Sequence, residues 1–409
     1  MPLSKLWVIA YRDLGRHRRR SVFTLLAVAL GLALLFMMSG LISGMMTESL
    51  QNSIRLRTTH LQLRAASFQD DQLSLQSKDL LAEPAALTAR ATAMSEVEAA
   101  APVLWISGIL STIDESAGLQ VIGLDPTSAL YAPMKAGLVT GAWLAPDDRD
   151  GVLIGRMLAE SLNVSAGQKV SLAIVDADGQ PDEGVFTVRG LFSTGIPSYD
   201  ESAVFMTLDK AQAFARTGDH ASAIMILLKD EATTDKFAAA FKGSDFTVLT
   251  WTDLNKFFVE TMALASSFYV LMYGIVILIV AVIIANTLLM AVFERVREMG
   301  ILAALGMKGG QIRQMFLLEG ASLGLAGVAV GAVLGLASVA YLAETGIPLS
   351  DKTAAVAGSA FALGTTMRAA FDWSAFAYLS IATLIVVILA SLYPAWYAAR
   401  LEPVDALRD

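Results

Sequence analysis

The chain contains no cysteine, which excludes a disulfide framework and any thiolate metal site. It has only three histidines, His17, His60 and His220, in three unrelated contexts; that spread speaks against a histidine metal cluster and for solvated surface histidines. Charge is scarce as well. Charged residues make up 17% of the 409 positions against 55% hydrophobic, too apolar a balance for an ordinary soluble globule. The net charge of -8 argues against a nucleic-acid partner, whose phosphates call for a basic face. No G-x-x-x-x-G-K-[ST] run occurs, so the chain has no loop of that type to cradle a nucleotide phosphate. The absence of G-x-S-x-G, H-E-x-x-H or a Ser/His/Asp constellation weighs against a membrane protease or lipase.

Where charge is missing, it is missing in blocks. Residues 21–47, 261–293, 320–343 and 373–399 hold no Asp, Glu, Lys or Arg, and each is long enough to cross a hydrocarbon core, which takes roughly 20 helical residues. A fifth apolar stretch, 353–367, is too short to span and reads as surface-lying or re-entrant. Basic residues flank the spans unevenly. Lys5, Arg12, Arg16, Arg18, Arg19 and Arg20 precede the first; Arg295, Arg297, Lys308 and Arg313 lie between the second and third; only Lys352 and Arg368 lie between the third and fourth. The positive-inside rule then puts both termini and the 294–319 loop in the cytoplasm and the segment 48–260 outside. Leu3, Trp7, Ala10, Tyr11 and Leu14 share one helical face, with Lys5, Arg12, Arg16 and Arg19 away from it, so residues 1–20 read as a basic amphipathic helix on the inner leaflet, ahead of an uncleaved anchor.

Between 48 and 260 the text changes to short β-rich runs (HLQLRA, GLQVIGL, KVSLAIV, FTVRGLF, SAVFMTL, SAIMILL) separated by helical ones (LLAEPAALTARATAMSEV, GRMLAESLN, LDKAQAFART, TTDKFAAAFKG). Such alternation predicts an α+β region with a mixed sheet. LDPTSAL at 124–130 looks like nucleotide-hydrolase text, but it lacks a catalytic carboxylate and reads as a chance match in a loop. GLFSTGIPSYDESAVFM at 190–206 reads either as a hairpin with good turn chemistry or as an exposed apolar tip, with Ile196, Pro197, Tyr199 and Asp200 gripping an outside partner or lipid-like cargo.

The third span carries Gly320, Gly324, Gly327, Gly331 and Gly335 along nearly one stripe, a small-x-x-x-small face on which another helix backbone can approach closely. Gly40 and Gly44 in the first span fit the same use. Since the four uncharged runs contain no Asp, Glu, Lys or Arg to carry a proton or ion, an ion-coupled carrier is disfavoured. The second run is longer than the bilayer needs, and TESLQNSIRLRTT can prolong the first, so helical stalks are expected to continue outward from both.

Residues 294–312, ERVREMGILAALGMKGGQI, interrupt this pattern. Glu294, Arg295, Arg297 and Glu298 are expected to open a short helix, with Glu294 and Arg297 at i, i+3 as an ion pair. Ile301, Leu302 and Leu305 give it apolar contacts, Gly306 stops it, and Gly309 and Gly310 make a sharp turn before Gln311.

With four spans, one large domain after the first, ERVREMGILAALGMKGGQIRQMFLLEG after the second and the ending YPAWYAARLEPVDALRD, where a proline closes the last span, the chain resembles the FtsX/MacB/LolC superfamily of ABC transporter permeases. VLIGRMLAESLNVSAGQKV resembles the outer domain of that family. The resemblance implies an α-helical membrane protein with four transmembrane helices and a large extracytoplasmic α+β domain between the first and second. The implied organisation is a cytoplasmic basic helix at 1–20, spans at 21–47, 261–293, 320–343 and 373–399, the outer domain at 48–260, a coupling region at 294–319, an outer loop at 344–372 and a cytoplasmic tail at 400–409. It further implies a permease without catalytic residues, cofactor or metal of its own in the bacterial inner membrane, paired with a second protomer, identical or not, and with two copies of a cytoplasmic ATPase subunit that binds ATP and Mg. ATP hydrolysis then moves the outer domain by mechanotransmission.

The segment around Glu294, Arg295, Arg297, Glu298, Gly300, Ile301, Leu302, Leu305 and Gly306 becomes, by resemblance, the element seated in a groove of the ATPase, with Asp405 and Arg408 as a weaker second contact. Lipoprotein or lipophile extraction, efflux of drugs or peptides through a periplasmic adaptor, and activation of a periplasmic partner enzyme are the branches open, with a chaperone or lipoprotein as the outside partner. A membrane-anchored sensor lacks an output domain in the short inner segments, and a membrane enzyme would need convergent polar groups in the outer domain.

Overall fold

The structure, a computed structural model, describes residues 18–67, 74–241, 246–358 and 362–400 and divides into two compact units. The first gathers residues from Met1–Thr47, Met262–Ile347 and Met367–Asp409, the second from Glu48–Thr261 and Pro348–Thr366.

Five helices build the first unit: α1 (Arg18–Ser53), α2 (Lys256–Glu294), α3 (Val296–Ala304), α4 (Gly309–Thr345) and α5 (Trp373–Ala399). Four of them, all but α3, contain stretches long and apolar enough to cross a membrane. One side of each is apolar and bare, with Phe23, Leu30, Leu264, Phe268, Leu325, Val333 and Ile381 exposed, a surface that water penalises and hydrocarbon accepts. The other side makes the packed interior. Leu32, Leu35 and Phe36 of α1 meet Val339 of α4 and Phe376 and Leu379 of α5, with the Phe36 and Phe376 rings stacked at 4.5 Å.

Glycine sets how close these helices come. A Cβ on Gly327 would lie 2.6 Å from Val28, one on Gly331 2.8 Å from the Ala29 carbonyl oxygen and one on Gly335 2.8 Å from Phe36, so this stripe faces α1. Gly320 and Gly324 face Ser391 and Val387 of α5, Gly40 faces Val339 of α4, and Gly44 abuts the backbone of Arg368. Pro394 does not close the last span; it lies inside α5, which continues to Ala399. At 39 residues, α2 is about 58 Å long at 1.5 Å per residue.

The second unit is built on a ten-stranded mixed sheet. Its strands are β1 (Leu61–Ala65), β2 (Val97–Ser111), β3 (Ser116–Leu124), β4 (Leu138–Gly141), β5 (Gly151–Gly155), β6 (Lys169–Val175), β7 (Pro181–Phe192), β8 (Ala203–Thr207), β9 (Ala223–Leu228) and β10 (Phe246–Thr250). Spatial order is β10-β1-β9-β2-β3-β8-β5-β7-β4, with β6 pairing both β2 and β7. The pairs β3–β8 and β5–β7 are parallel and the rest antiparallel.

The long central strand β2 holds the unit together: its Leu104, Ile106 and Leu110 enter one apolar cluster and Val103 and Trp105 another, as alternation across a strand requires. Short helices at Pro84–Thr92, Arg156–Ser161, Leu208–Ala215 and Thr234–Ala240 fall within the stretches expected to be helical. LDPTSAL is a turn, in which Asp125 Oδ1 accepts from the Thr127 backbone N–H and hydroxyl. The described part of the apolar stretch 353–367 begins within a helix. That helix, Asp351–Gly358, packs on the short helix Pro197–Asp200 of the sheet unit.

Candidate functional site

Between α2 and α4 the chain reverses at a corner whose geometry is specific. Glu294 is the last residue of α2, Arg295 leaves helical geometry (φ -117, ψ 15), and α3 begins at Val296. The apolar spacing of VREMGILAA divides this helix. Met299 and Gly300 turn inward, and Met299 joins Val292, Ile312, Met315, Phe316, Ala395 and Ala398 in a buried cluster. Ile301 is 47% and Leu305 81% exposed, with Arg297 and Glu298 also on the surface and Leu302 half-buried.

Gly306 ends the helix, as its residue type predicts. It adopts φ +93, its N–H donates to the Ala303 carbonyl, and the Met307 N–H donates to that of Leu302, the paired bonds of a Schellman cap. Gly309 and Gly310 differ from expectation: they form the first turn of α4 rather than a loop, because Lys308 in extended geometry already supplies the bend and its N–H donates to Gln311 Oε1 at 3.1 Å.

Ion pairing here also departs from the i, i+3 expectation. Glu294 pairs with Arg20 of α1 (2.8 Å) rather than with Arg297. Arg295 is turned inward, 5% exposed, and reaches Glu298 of α3 and Glu319 of α4, each at 3.3 Å. Arg20 also lies 3.7 Å from Glu319, and the Arg295 guanidinium sits 5.6 Å from the Phe316 ring. Glu319, 1% exposed, therefore has two arginines on its two oxygens. Desolvating such a group is costly unless every charge is met, and a network that meets them holds one arrangement of its helices against alternatives. Here it joins the end of α2, the start of α3, α4 and the first turn of α1. Sequence reading missed Glu319 as a member. Its signal was an acid immediately before an uncharged run, opposite two arginines at other helix ends.

The 190–206 segment is corrected by the structure. Ile196, Pro197, Tyr199 and Asp200 do not form an exposed tip: Ile196 is 2%, Tyr199 5% and Asp200 1% exposed, and Pro197 is buried. Ile196 and Tyr199 sit in the apolar cluster under the sheet, and the Tyr199 hydroxyl donates to the Leu56 carbonyl at 3.3 Å. The Asp200 carboxylate accepts from the Ser193 hydroxyl, the Thr194 N–H and the Thr194 hydroxyl at 2.7–2.9 Å. Burial still pushes its carboxyl above the usual carboxylate range, against the pull of these bonds.

The histidines are corrected too. His60 is half-buried and its Nδ1 accepts the Leu228 N–H at 3.0 Å, and His220 is half-buried beside Gly218. No cluster of three or more metal-ligating side chains occurs among the described residues. Leu3, Trp7, Ala10, Tyr11, Leu14 and His17 of the amphipathic segment, and Asp405 and Arg408 of the tail, lie outside the described residues.

Comparison with known proteins finds two family matches along the chain. Residues 21–244 match the MacB-like periplasmic core domain and residues 270–403 the FtsX-like permease C-terminal family. The lipoprotein-releasing system transmembrane protein LolC of Neisseria meningitidis is 24% identical over 332 residues, 76% of this chain and 78% of that protein. The macrolide export ATP-binding/permease protein MacB of Neisseria gonorrhoeae is 24% identical over 414 residues, 96% of this chain but 58% of the relative. Among solved structures, the periplasmic region of MacB from Actinobacillus actinomycetemcomitans aligns to 51% of this chain and 97% of its own length, with 16% identity and a TM-score of 0.34. With one match running over more than half of its residues and a second over its last three membrane helices, the chain belongs to the FtsX-like, MacB-type family of ABC transporter permeases.

Proposed function

We propose that this permease receives the stroke of a separate cytoplasmic ABC ATPase on α3 and delivers it to the sheet unit on the other side of the inner membrane. One observation carries the reading: α3 is a short helix between two membrane helices, anchored inward by Met299 and by the Arg295–Glu319 pair, with Ile301 and Leu305 left bare beside Arg297 and Glu298. An apolar pair in a charged rim suits a protein groove, and the buried ion network beneath it lets a push on α3 reach α1, α2 and α4 as a rigid-body displacement. Asp405 and Arg408 would add a second ATPase contact. ATP and Mg belong to the partner, two copies of which serve a pair of permease protomers. Both termini and α3 are then cytoplasmic and the sheet unit is periplasmic.

Lipoprotein or another lipophilic molecule is the cargo this reading favours, because the LolC relative named for lipoprotein release is matched over most of both chains. Efflux of the macrolide-export kind is the second reading, favoured by a match that runs along 96% of this chain. Leu305→Asp, at a position 81% exposed, is expected to leave membrane insertion and ATP hydrolysis of the assembled complex near wild type while cargo transfer falls about tenfold or more, since a charge is driven into an apolar contact. Transfer assayed in proteoliposomes at the wild-type rate would remove α3 as the input.

A further inference from the structure

One face of the sheet carries a cavity of about 390 Å³, within the size range of small-molecule sites. Strand register builds its floor. Trp105 pairs with Ile122, Ile122 with Phe205, and Gln62 with Met225, and directly opposed residues stand on one face of a sheet. Its rim is the π-helical turn Ile54–Thr58 that follows α1, which closes at Thr59 with φ 52 and ψ -170. Such turns are rare, as is positive φ in a β-branched residue, and both concentrate where a ligand is held.

Charge in this cavity runs opposite to charge in the chain. The sequence has 38 acidic against 30 basic residues, yet Arg55, Arg57 and Arg64 line the cavity and, among the described residues, no Asp or Glu does. Aromatic rings flank two of these guanidinium groups: Arg64, whose Nε and Nη2 donate to Gln62 Oε1 at 2.9 and 2.7 Å, lies 4.6 Å from the Trp105 ring, and Arg57 lies 6.0 Å from that of Tyr199. Tyr131 and Met134 add an aromatic and a thioether surface. The Tyr131 hydroxyl is buried and has no hydrogen-bond partner among the described residues, an unusual cost for a protein interior. Burial also raises its phenol far above the ordinary value.

We infer that this cavity is a binding site for a small amphipathic organic anion, its carboxylate or phosphate held by Arg55, Arg57 and Arg64 and its apolar body laid against Trp105, Tyr131 and Met225. Guanidinium forks match the geometry of either head group, and the aromatic and thioether floor accepts an acyl or an aromatic body without demanding one shape. The site is distinct from the ATPase-docking face and does not depend on it.

Equilibrium binding of radiolabelled decanoate and of indole-3-acetate to the full chain in lipid nanodiscs, corrected for empty nanodiscs, tests this. The two probes separate a lipid-derived from an aromatic ligand. Saturable binding of at least one anion near one per chain is expected, weakened about tenfold or more in Arg55→Gln/Arg57→Gln, as loss of charge-assisted bonds requires, and absent for the uncharged decanol and tryptophol. Arg55 and Arg57 are exposed, so that variant removes charge without disturbing the core. Ser202→Phe, at a half-exposed lining position, fills the space with every arginine kept and should block binding equally. No saturable binding of either anion, equal binding of the neutral analogues, or full retention by both variants overturns the assignment.

Discussion

His60 shows how one side chain can look ordinary in sequence and act otherwise in place. Burial lowers its imidazole below the ordinary value, more than Glu231 and Glu98 raise it, and a proton on Nδ1 would also evict the Leu228 N–H it accepts. Because the folded value is depressed, the stability tied to neutral His60 is complete above the unfolded value of about 6.5 and is lost as pH falls through the folded one. Between about pH 7 and pH 5 the melting temperature of wild type should therefore drop more than that of His60→Gln, whose amide oxygen keeps an acceptor that does not titrate in that range. Parallel curves by intrinsic fluorescence would show that His60 contributes nothing to the pH response. Glu319 and Arg295 carry the same lesson about legibility: an acid 24 positions from its partner gives no local signal, and only the packing of helix ends brings the two together.

Helices were the elements most legible, because a run of apolar residues in a chain bound for hydrocarbon has little choice but to satisfy its backbone internally. Their ends were less so. Neither Gly309 nor the residues before Lys256 announce whether a helix begins there. The strand β2 went unrecognised altogether, since VEAAAPVLWISGILS mixes alanine, proline and glycine into a pattern of weak β propensity that tertiary burial on both faces overrides. Two glycines of α4 separate packing from propensity. On Gly331 any side chain meets the Ala29 backbone, at 2.8 and 2.9 Å, which no rotamer relieves, so Gly331→Leu should part α4 from α1 and cost about 2 kcal/mol or more. Gly310 has open space around its Cβ position and helical geometry, so Gly310→Ala should be neutral or stabilise by up to about 1 kcal/mol. Thermal unfolding in detergent that lowered both variants equally would contradict the seam.

For the molecule as a whole, the missing cysteine is an experimental convenience, since any introduced thiol is the only one. Ile113, fully exposed at the turn between β2 and β3, and Lys308, exposed between α3 and α4, are predicted to face opposite sides of the membrane. In intact spheroplasts a membrane-impermeant maleimide should label Ile113→Cys, and Lys308→Cys only after permeabilisation. Labelling of both before permeabilisation would break the proposed topology.

The four apolar helices, the change to β-rich text after the first and the glycine stripe were determined by the sequence alone, because periodicity and hydrophobicity are local properties that each segment carries with it. The buried ion network, the burial of Ile196 and Tyr199, the packing of 351–358 on the sheet unit and the arginine-rimmed cavity were decided only by tertiary structure. Each depends on residues far apart in the chain meeting at one place, and whether a side chain is a tip, a core residue or a ligand contact follows from what covers it.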